Sequence, residues 1–277
     1  MTETPRRPVR LIALDLDGTT LNTSKHIDEG NRSALRAAAE KGVTVVLASG
    51  RMTDCITPFA EELALDCMII SYNGGMARGL LADGRPELHH CPLQASYGAG
   101  LIDFCRDRYM LNYYVDDVLH AQDRPELRQY AGIYSQRTGA KYHFVPDLDP
   151  YRESDPTKAI IVCDPGERER LYDEWIERWG GETTIVKTDP EYLEFLNKDT
   201  NKGVALADMA GRLGLHIDEV MAMGDGDNDA DMLATAGLGV AVANASDLAR
   251  ANADVLLDVD HTECAVAAAV ERYILAS

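Results

Sequence analysis

Apolar residues come in short continuous blocks at both ends of the chain and in weaker, mixed runs through its middle. The stretch 9–14 (VRLIAL) is almost wholly apolar and β-leaning, as a strand covered on both faces requires. It runs into an acidic loop containing glycine. Over 28–41, Leu35, Ala38 and Ala39 fall at helical spacing, and Lys41-Gly42 is a stop signal. A second buried strand over 43–48 ends at Ser49-Gly50-Arg51. A helical stretch over 53–64 then precedes a third strand, 67–71, that ends at Asn73-Gly74-Gly75. Strand, helix, strand, helix, strand predicts a parallel sheet with right-handed crossovers.

From about 76 to 195 the rhythm changes. Strands over 112–115, 141–145, 158–163, 183–187 and 192–196 are shorter and more polar, with helices expected near 93–108, 123–138 and 166–179. The doubly wound pattern then returns: helix 202–213, strand 219–223, helix 229–235, strand 237–242, helix 246–252, strand 254–257 and helix 262–275. The expected fold is α/β, a Rossmann-like doubly wound parallel sheet with an inserted α+β cap domain. Residues 1–84 and 196–277 form the core and 85–195 the cap.

The polar clusters fall where such a sheet binds ligands. Asp15 and Asp17, Ser49, Asn73, and Asp225 with Asn228 and Asp229 each follow the C-terminal end of a buried strand. Clusters far apart in sequence therefore converge on one edge. Carboxylates gathered there repel unless a cation lies between them, and oxygen-only ligands point to a hard ion such as Mg²⁺. Asp15, with small Gly18 and the hydroxyl of Thr19 beside it, suits nucleophilic attack on a phosphoryl group. Backbone N–H groups of that turn can hold the transferring oxygens. Asp17 is placed to protonate a leaving alcohol and then to activate water. Lys202, at a helix start, offsets the charge of nucleophile and phosphate.

Composition narrows the partners. A hydrophobic fraction of 45% with 26% charged residues is that of an ordinary globular protein. The net charge of -19 argues against nucleic acid or an anionic membrane as partner, because phosphate backbones would be repelled. The polar N-terminus precedes no apolar signal core, and no run reaches membrane-spanning length. Six scattered cysteines without a Cys-x-x-Cys pair suit free thiols in a reducing cytosol, so a cytoplasmic location is expected. Nothing in the pattern sets an oligomeric state.

Asp15-Leu16-Asp17-Gly18-Thr19, Ser49-Gly50-Arg51, Lys202 in NKG-x-AL and Gly224-Asp225-Gly226-Asp227-Asn228-Asp229 resemble, in order, the four motifs of the haloacid dehalogenase superfamily. The insertion, the NGG turn and Tyr192-Leu-Glu-Phe before the lysine resemble its Cof-like branch with a class IIB cap. The resemblance implies a mobile cap and hydrolysis of small phosphomonoesters, sugar-phosphate-like metabolites, with Mg²⁺ as cofactor. Carried over by motif, Asp15 is nucleophile and metal ligand, and Asp17 is acid/base and a ligand through its carbonyl. Asp225 completes the metal site, with Asp229 supporting it. Ser49 and Lys202 act on the phosphoryl group, and Thr19, Gly50, Asn73 and Asn228 join them in binding it. Two departures stand out: Ser49 where the family often has Thr, and Ala243 where a Gly commonly precedes Asn244.

Blander readings compete. Alone, the first motif is a strand followed by an Asp-Gly turn, Ser49 a helix N-cap, and Lys202 a solvated helix residue. Asp225–Asp231 has Ala230 and Ala236 where a calcium loop needs Gly and Glu, so that reading fails. A phosphomutase or phosphotransferase shares the first step. A phosphate-binding protein without turnover is the alternative from another class.

Overall fold

The computed structural model describes residues 5–276, so the first four residues of the expected core, and its last, lie outside the described residues. Along the chain come β1 (Leu11–Asp15), α1 (Glu29–Glu40), β2 (Thr44–Ala48), α2 (Thr53–Leu63), β3 (Met68–Ser71), β4 (Met76–Arg78) and β5 (Glu87–His90). Next are α3 (Ala95–Cys105), β6 (Met110–Val115), β7 (Val118–Gln122), α4 (Arg128–Thr138), β8 (Tyr142–Val145), β9 (Lys158–Val162), α5 (Pro165–Trp179), β10 (Thr183–Lys187) and β11 (Tyr192–Asn197). Last are α6 (Lys202–Arg212), β12 (Val220–Gly224), α7 (Ala230–Thr235), β13 (Leu238–Ala241), α8 (Asp247–Asn252), β14 (Val255–Leu256) and α9 (Ala265–Val270). Among the described residues no helix is long and apolar enough to cross a membrane.

The chain divides into two compact units, one running to His89 and resuming at Asn201, the other comprising His90–Thr200. Both boundaries fall about five residues later than the pattern suggested. β5 adds to the core sheet before the chain departs, and β11 pairs with β9 and β10 of the other sheet as far as Asn197. β5, with two histidines in four residues, carries no alternation that would have revealed it.

In the core unit eight strands lie in the order β14-β13-β12-β1-β2-β3-β4-β5, parallel from β14 to β3, with β4 antiparallel to β3. The period-two alternation of each strand sends its side chains to two separate apolar layers. Ile12, Leu14, Val45, Leu47, Met221 and Met223 pack with residues of α1, α2 and α9 on one face. Leu11, Ala13, Val46, Ala48, Val220 and Ala222 pack with α6, α7 and α8 on the other. Burial on both faces explains why these strands read as unbroken apolar runs. The sequence of strands runs outward from β1 in both directions, through β2 on one side and β12 on the other. The order reverses at β1, and the C-terminal ends of β1 and β12 flank the crevice where doubly wound sheets bind ligands. The single helix expected over 262–275 is instead broken. Cys264 turns left-handed (φ 60) after a short 3-10 turn, and a π turn over Glu271–Leu275 continues α9.

The second unit is a mixed sheet in the order β10-β11-β9-β6-β7-β8. Its core gathers Leu101, Tyr113, Ile161, Leu171, Trp175 and Phe195. Trp175 is fully buried and meets Trp179 at a ring separation of 4.3 Å, so the tryptophans serve this core, as their place between short strands suggests. The sequence pattern omits β7, because His120 and Gln122 interrupt its apolar run.

Candidate active site

Asp15 is the last residue of β1 and is buried, and Thr20 Oγ1 donates to its carbonyl at 2.5 Å. Lys202 begins α6, whose N-cap Asn201 accepts from the Val204 N–H at 2.7 Å. The Lys202 side chain is completely buried and donates from Nζ to Asp15 Oδ1 at 2.7 Å, Asp229 Oδ1 at 2.6 Å and the Ala48 carbonyl at 3.4 Å. Burial opposes the charge of Lys202, but Asp15 and Asp229 outweigh it and hold its pKa above the ordinary lysine value. Burial, joined by Asp229, pushes the Asp15 carboxyl well above the usual range, with Lys202 pulling the other way.

Asp225 follows the end of β12. Its Oδ1 accepts from Thr19 Oγ1 at 2.8 Å, and burial, with help from Asp229, raises its pKa. Asp229 Oδ2 accepts from the N–H groups of Asp225 (3.0 Å) and Gly226 (2.9 Å), which folds the loop back on itself. One carboxylate oxygen from each of Asp15, Asp225 and Asp229 lies within 4.8 Å of the others. Among the described residues no other group of three or more His, Cys, Asp or Glu converges in this way. Three carboxylates against the single ammonium of Lys202 leave negative charge uncompensated at a site made only of oxygen donors. That donor set fits a hard divalent cation.

The two loops touch at Gly18, whose φ of +90 is open to glycine and which has no room for a side chain. A Cβ there would stand 2.3 Å from Asp225 Oδ2. Gly18→Ala is therefore expected to cost about 1–3 kcal/mol of stability. It should cut turnover more severely, because any relief of the clash moves Asp225. Thermal melts and phosphate release measured side by side check this, and a wild-type melt would contradict it.

Asp17 stands apart from the three clustered carboxylates. Its side chain takes a two-pronged contact from Arg51, with Nε to Oδ2 at 2.9 Å and Nη2 to Oδ1 at 2.8 Å, and a further bond from Lys25 Nζ at 2.7 Å. Partial burial works against ionisation, but Arg51 and then Lys25 outweigh it and hold Asp17 below its ordinary pKa. Neither Arg51 nor Lys25 was singled out by the sequence pattern. The only signal was that Arg51 closes the Ser49-Gly50-Arg51 turn.

A third group forms on the same edge. Tyr72 (φ 54), Asn73 (φ 57) and Gly74 (φ 97) are successively left-handed, which turns the chain sharply after β3. Gly74 lies against the start of α6, where a Cβ would meet the Asn201 carbonyl at 2.1 Å. Asn73 Oδ1 accepts from Asn228 Nδ2 at 2.9 Å, and its side chain lies where a Cβ on Gly50 would stand. Ser49 joins through its backbone, its carbonyl accepting from Asn73 N at 3.0 Å, while its Oγ accepts from Arg51 N at 3.3 Å. Ser49 is not the cap of α2; Met52 holds that place. The expected site residues thus form three neighbouring groups: Asp15, Thr19, Lys202, Asp225 and Asp229; Asp17, held by the unexpected Arg51; and Ser49, Gly50, Asn73 and Asn228. Ala243, the residue that replaces the common Gly, has no positive φ, so the loop accepts it.

A family model described as haloacid dehalogenase-like hydrolase matches residues 12–270. The chain is 30% identical over 267 residues to the 5-amino-6-(5-phospho-D-ribitylamino)uracil phosphatase of Bacillus subtilis (strain 168), covering 96% of each. It is 29% identical to a haloacid dehalogenase-like hydrolase from Bacteroides thetaiotaomicron of known crystal structure, with a TM-score of 0.84 over 95% of this chain and 99% of that one. It also shares its fold with a subclass IIB sugar phosphatase of the superfamily, at 19% identity and a TM-score of 0.76 over 95% of this chain and 98% of the other.

Proposed function

We infer the reaction from the family: the chain belongs to the haloacid dehalogenase-like hydrolases, in their Cof-like branch with a class IIB cap, and it is a phosphatase. Its reaction is the Mg²⁺-dependent hydrolysis of small, sugar-phosphate-like phosphomonoesters through a covalent phosphate on Asp15. The Bacillus subtilis relative, whose named substrate carries a phosphorylated ribityl chain, supports a phosphomonoester of this kind. The observation that carries the mechanism is Lys202 Nζ bonded to both Asp15 and Asp229 in a buried site, with Asp225 beside them.

Asp15 attacks phosphorus with a carboxylate oxygen. The bond from phosphorus to the ester oxygen breaks, and the electron pair leaves with that oxygen, which takes a proton from the Asp17 carboxyl. In the second half a water oxygen attacks phosphorus while Asp17, now a carboxylate, takes one of its protons. The bond to Asp15 breaks, and its electron pair restores the Asp15 carboxylate. The Arg51-held arrangement keeps Asp17 ionised, the form the second half needs. Asp17 therefore delivers a proton in the first half only when it is free of Arg51. Ser49 and Lys202 hold the phosphoryl oxygens, with Thr19, Gly50, Asn73 and Asn228 around them. Asp15, Asp225 and the Asp17 carbonyl would hold Mg²⁺, with Asp229 in support, and the ion would supply Lewis-acid stabilisation of charge on the phosphoryl oxygens.

The test is hydrolysis of p-nitrophenyl phosphate with Mg²⁺, with and without chelator, followed by turnover in ¹⁸O-labelled water. Chelator is expected to abolish activity, and one labelled oxygen is expected in the released phosphate. Full activity in chelator would refute the cation's role. Phosphate without label would refute attack of water on phosphorus, whereas a phosphorylated acceptor with no free phosphate would favour transfer to a second hydroxyl.

A further inference from the structure

The turn after β13 grips both loops that carry the clustered carboxylates. Asn244 Nδ2 donates to the Gly18 carbonyl at 2.8 Å, in the loop of Asp15 and Asp17. Two residues on, Ser246 N donates to the Asp225 carbonyl at 2.8 Å, and Ser246 Oγ to Asp227 Oδ1 at 2.6 Å. The turn is itself held in place. Ala243 N donates to the Val259 carbonyl at 3.0 Å, and Arg250 Nε to the Ala245 carbonyl at 2.7 Å. The orientation of the Asn244 amide is fixed from its other end, where Oδ1 accepts from His261 N at 3.1 Å. Nδ2 is therefore the atom that faces Gly18.

Gly18 is the contact point of the two loops. Its Cα faces Asp225 Oδ2, and its neighbour Thr19 bonds Asp225 Oδ1. Fixing the Gly18 carbonyl and the Asp225 carbonyl to one rigid turn fixes the spacing of the Asp15 and Asp225 carboxylates. Like charges at that range drive the loops apart in the absence of a cation, and Asn244 resists that from the Gly18 side.

We propose that Asn244 is a positioning residue for the cation site: through the Gly18 carbonyl it holds the Asp15–Asp225 spacing that a divalent ion needs, and so sets cation affinity. The inference rests on the Mg²⁺ role given above. The Asn244 side chain is exposed and bonds only the Gly18 carbonyl and the His261 N–H among the described residues, so it acts on the cation site through the backbone.

The experiment compares wild type and Asn244→Ala as the whole chain. Mn²⁺ binding is followed by electron paramagnetic resonance in the absence of substrate, with the Mg²⁺ dependence of p-nitrophenyl phosphate hydrolysis alongside. Loss of an outer partner of a metal site weakens binding by about tenfold or more. The expected result is a Kd for Mn²⁺ raised by about tenfold, with the Mg²⁺ concentration for half-maximal rate raised in step. The rate at saturating Mg²⁺ should fall by less than about twofold, because the added cation restores the spacing. The melting temperature of the cation-free protein falls by only about 2–4 °C, and the rise that a fixed Mg²⁺ concentration produces shrinks. A wild-type Kd for Mn²⁺ in Asn244→Ala overturns the inference, as does a loss confined to the saturated rate. If the wild-type protein itself binds no Mn²⁺, it is the cation's role in the proposed function that fails.

Discussion

Asp15→Asn is expected to abolish phosphate release, by roughly 10⁴-fold or more as nucleophile removal does elsewhere, while leaving the cation-free fold at least as stable as wild type at neutral pH. The first half follows from the nucleophile role proposed for Asp15, the second from its burial beside Asp229. Its carboxyl is pushed above the value it has in the unfolded chain, about 3.9, so the folded state binds the proton more tightly. A group raised in this way contributes stability that is complete below the unfolded pKa and is lost as pH rises through the folded one. Above the folded pKa the ionised Asp15 is therefore a cost that a neutral isostere removes, and Asn Oδ1 can still accept from Lys202. Melts of the two cation-free proteins across acid to neutral pH check the sign. The wild-type advantage should vanish or reverse as pH rises, and added Mg²⁺ should stabilise wild type more than the variant. Retained turnover would remove Asp15 from the chemistry, and a clear loss of neutral-pH stability would contradict the electrostatic account.

What could be read from the sequence depended on whether a feature had a local cause. β1, β2, β3 and β12 are buried on both faces, so their apolar runs declare them, and the polar residues after each strand end necessarily share one edge of the sheet. That is why Asp15 and Asp225 were legible together although most of the chain lies between them. Arg51 was not, because its bond to Asp17 depends on the register of β1 against β2 and on which way a long side chain swings. Asn244 showed only as an asparagine after an unusual alanine; its partner, a backbone carbonyl, leaves no trace in the pattern of side chains. β5 and β7 were lost for the opposite reason. Each is short and carries histidine or glutamine, so neither keeps a period that marks a strand. The boundary of the inserted unit moved with β5 and β11, since a chain leaves a sheet where its last ladder bond ends and no turn signal marks that point.

Lys202→Met carries the largest expected loss of stability. Methionine fills much the same volume and keeps α6 in place, so the change isolates the charge. It strips the buried carboxylates of Asp15 and Asp229 of the only cation, among the described residues, bonded to them both. Breaking a buried pair while its partners stay ionised costs about 3–5 kcal/mol. For a domain of this size that is a melting temperature lower by roughly 6–20 °C. Turnover should disappear with it, since the same ammonium would hold the phosphoryl group. The decisive comparison is with the double variant Lys202→Met, Asp15→Asn. Removing one of the stranded carboxylates should recover a substantial part of the lost stability, so the two changes together cost less than Lys202→Met alone. If Lys202 contributed through packing rather than charge, the losses would simply add. Stability that failed to recover in the double variant would therefore show that the ammonium does not balance Asp15. Recovery of stability without recovery of turnover is the outcome expected of a lysine that compensates a buried nucleophile and also serves the chemistry.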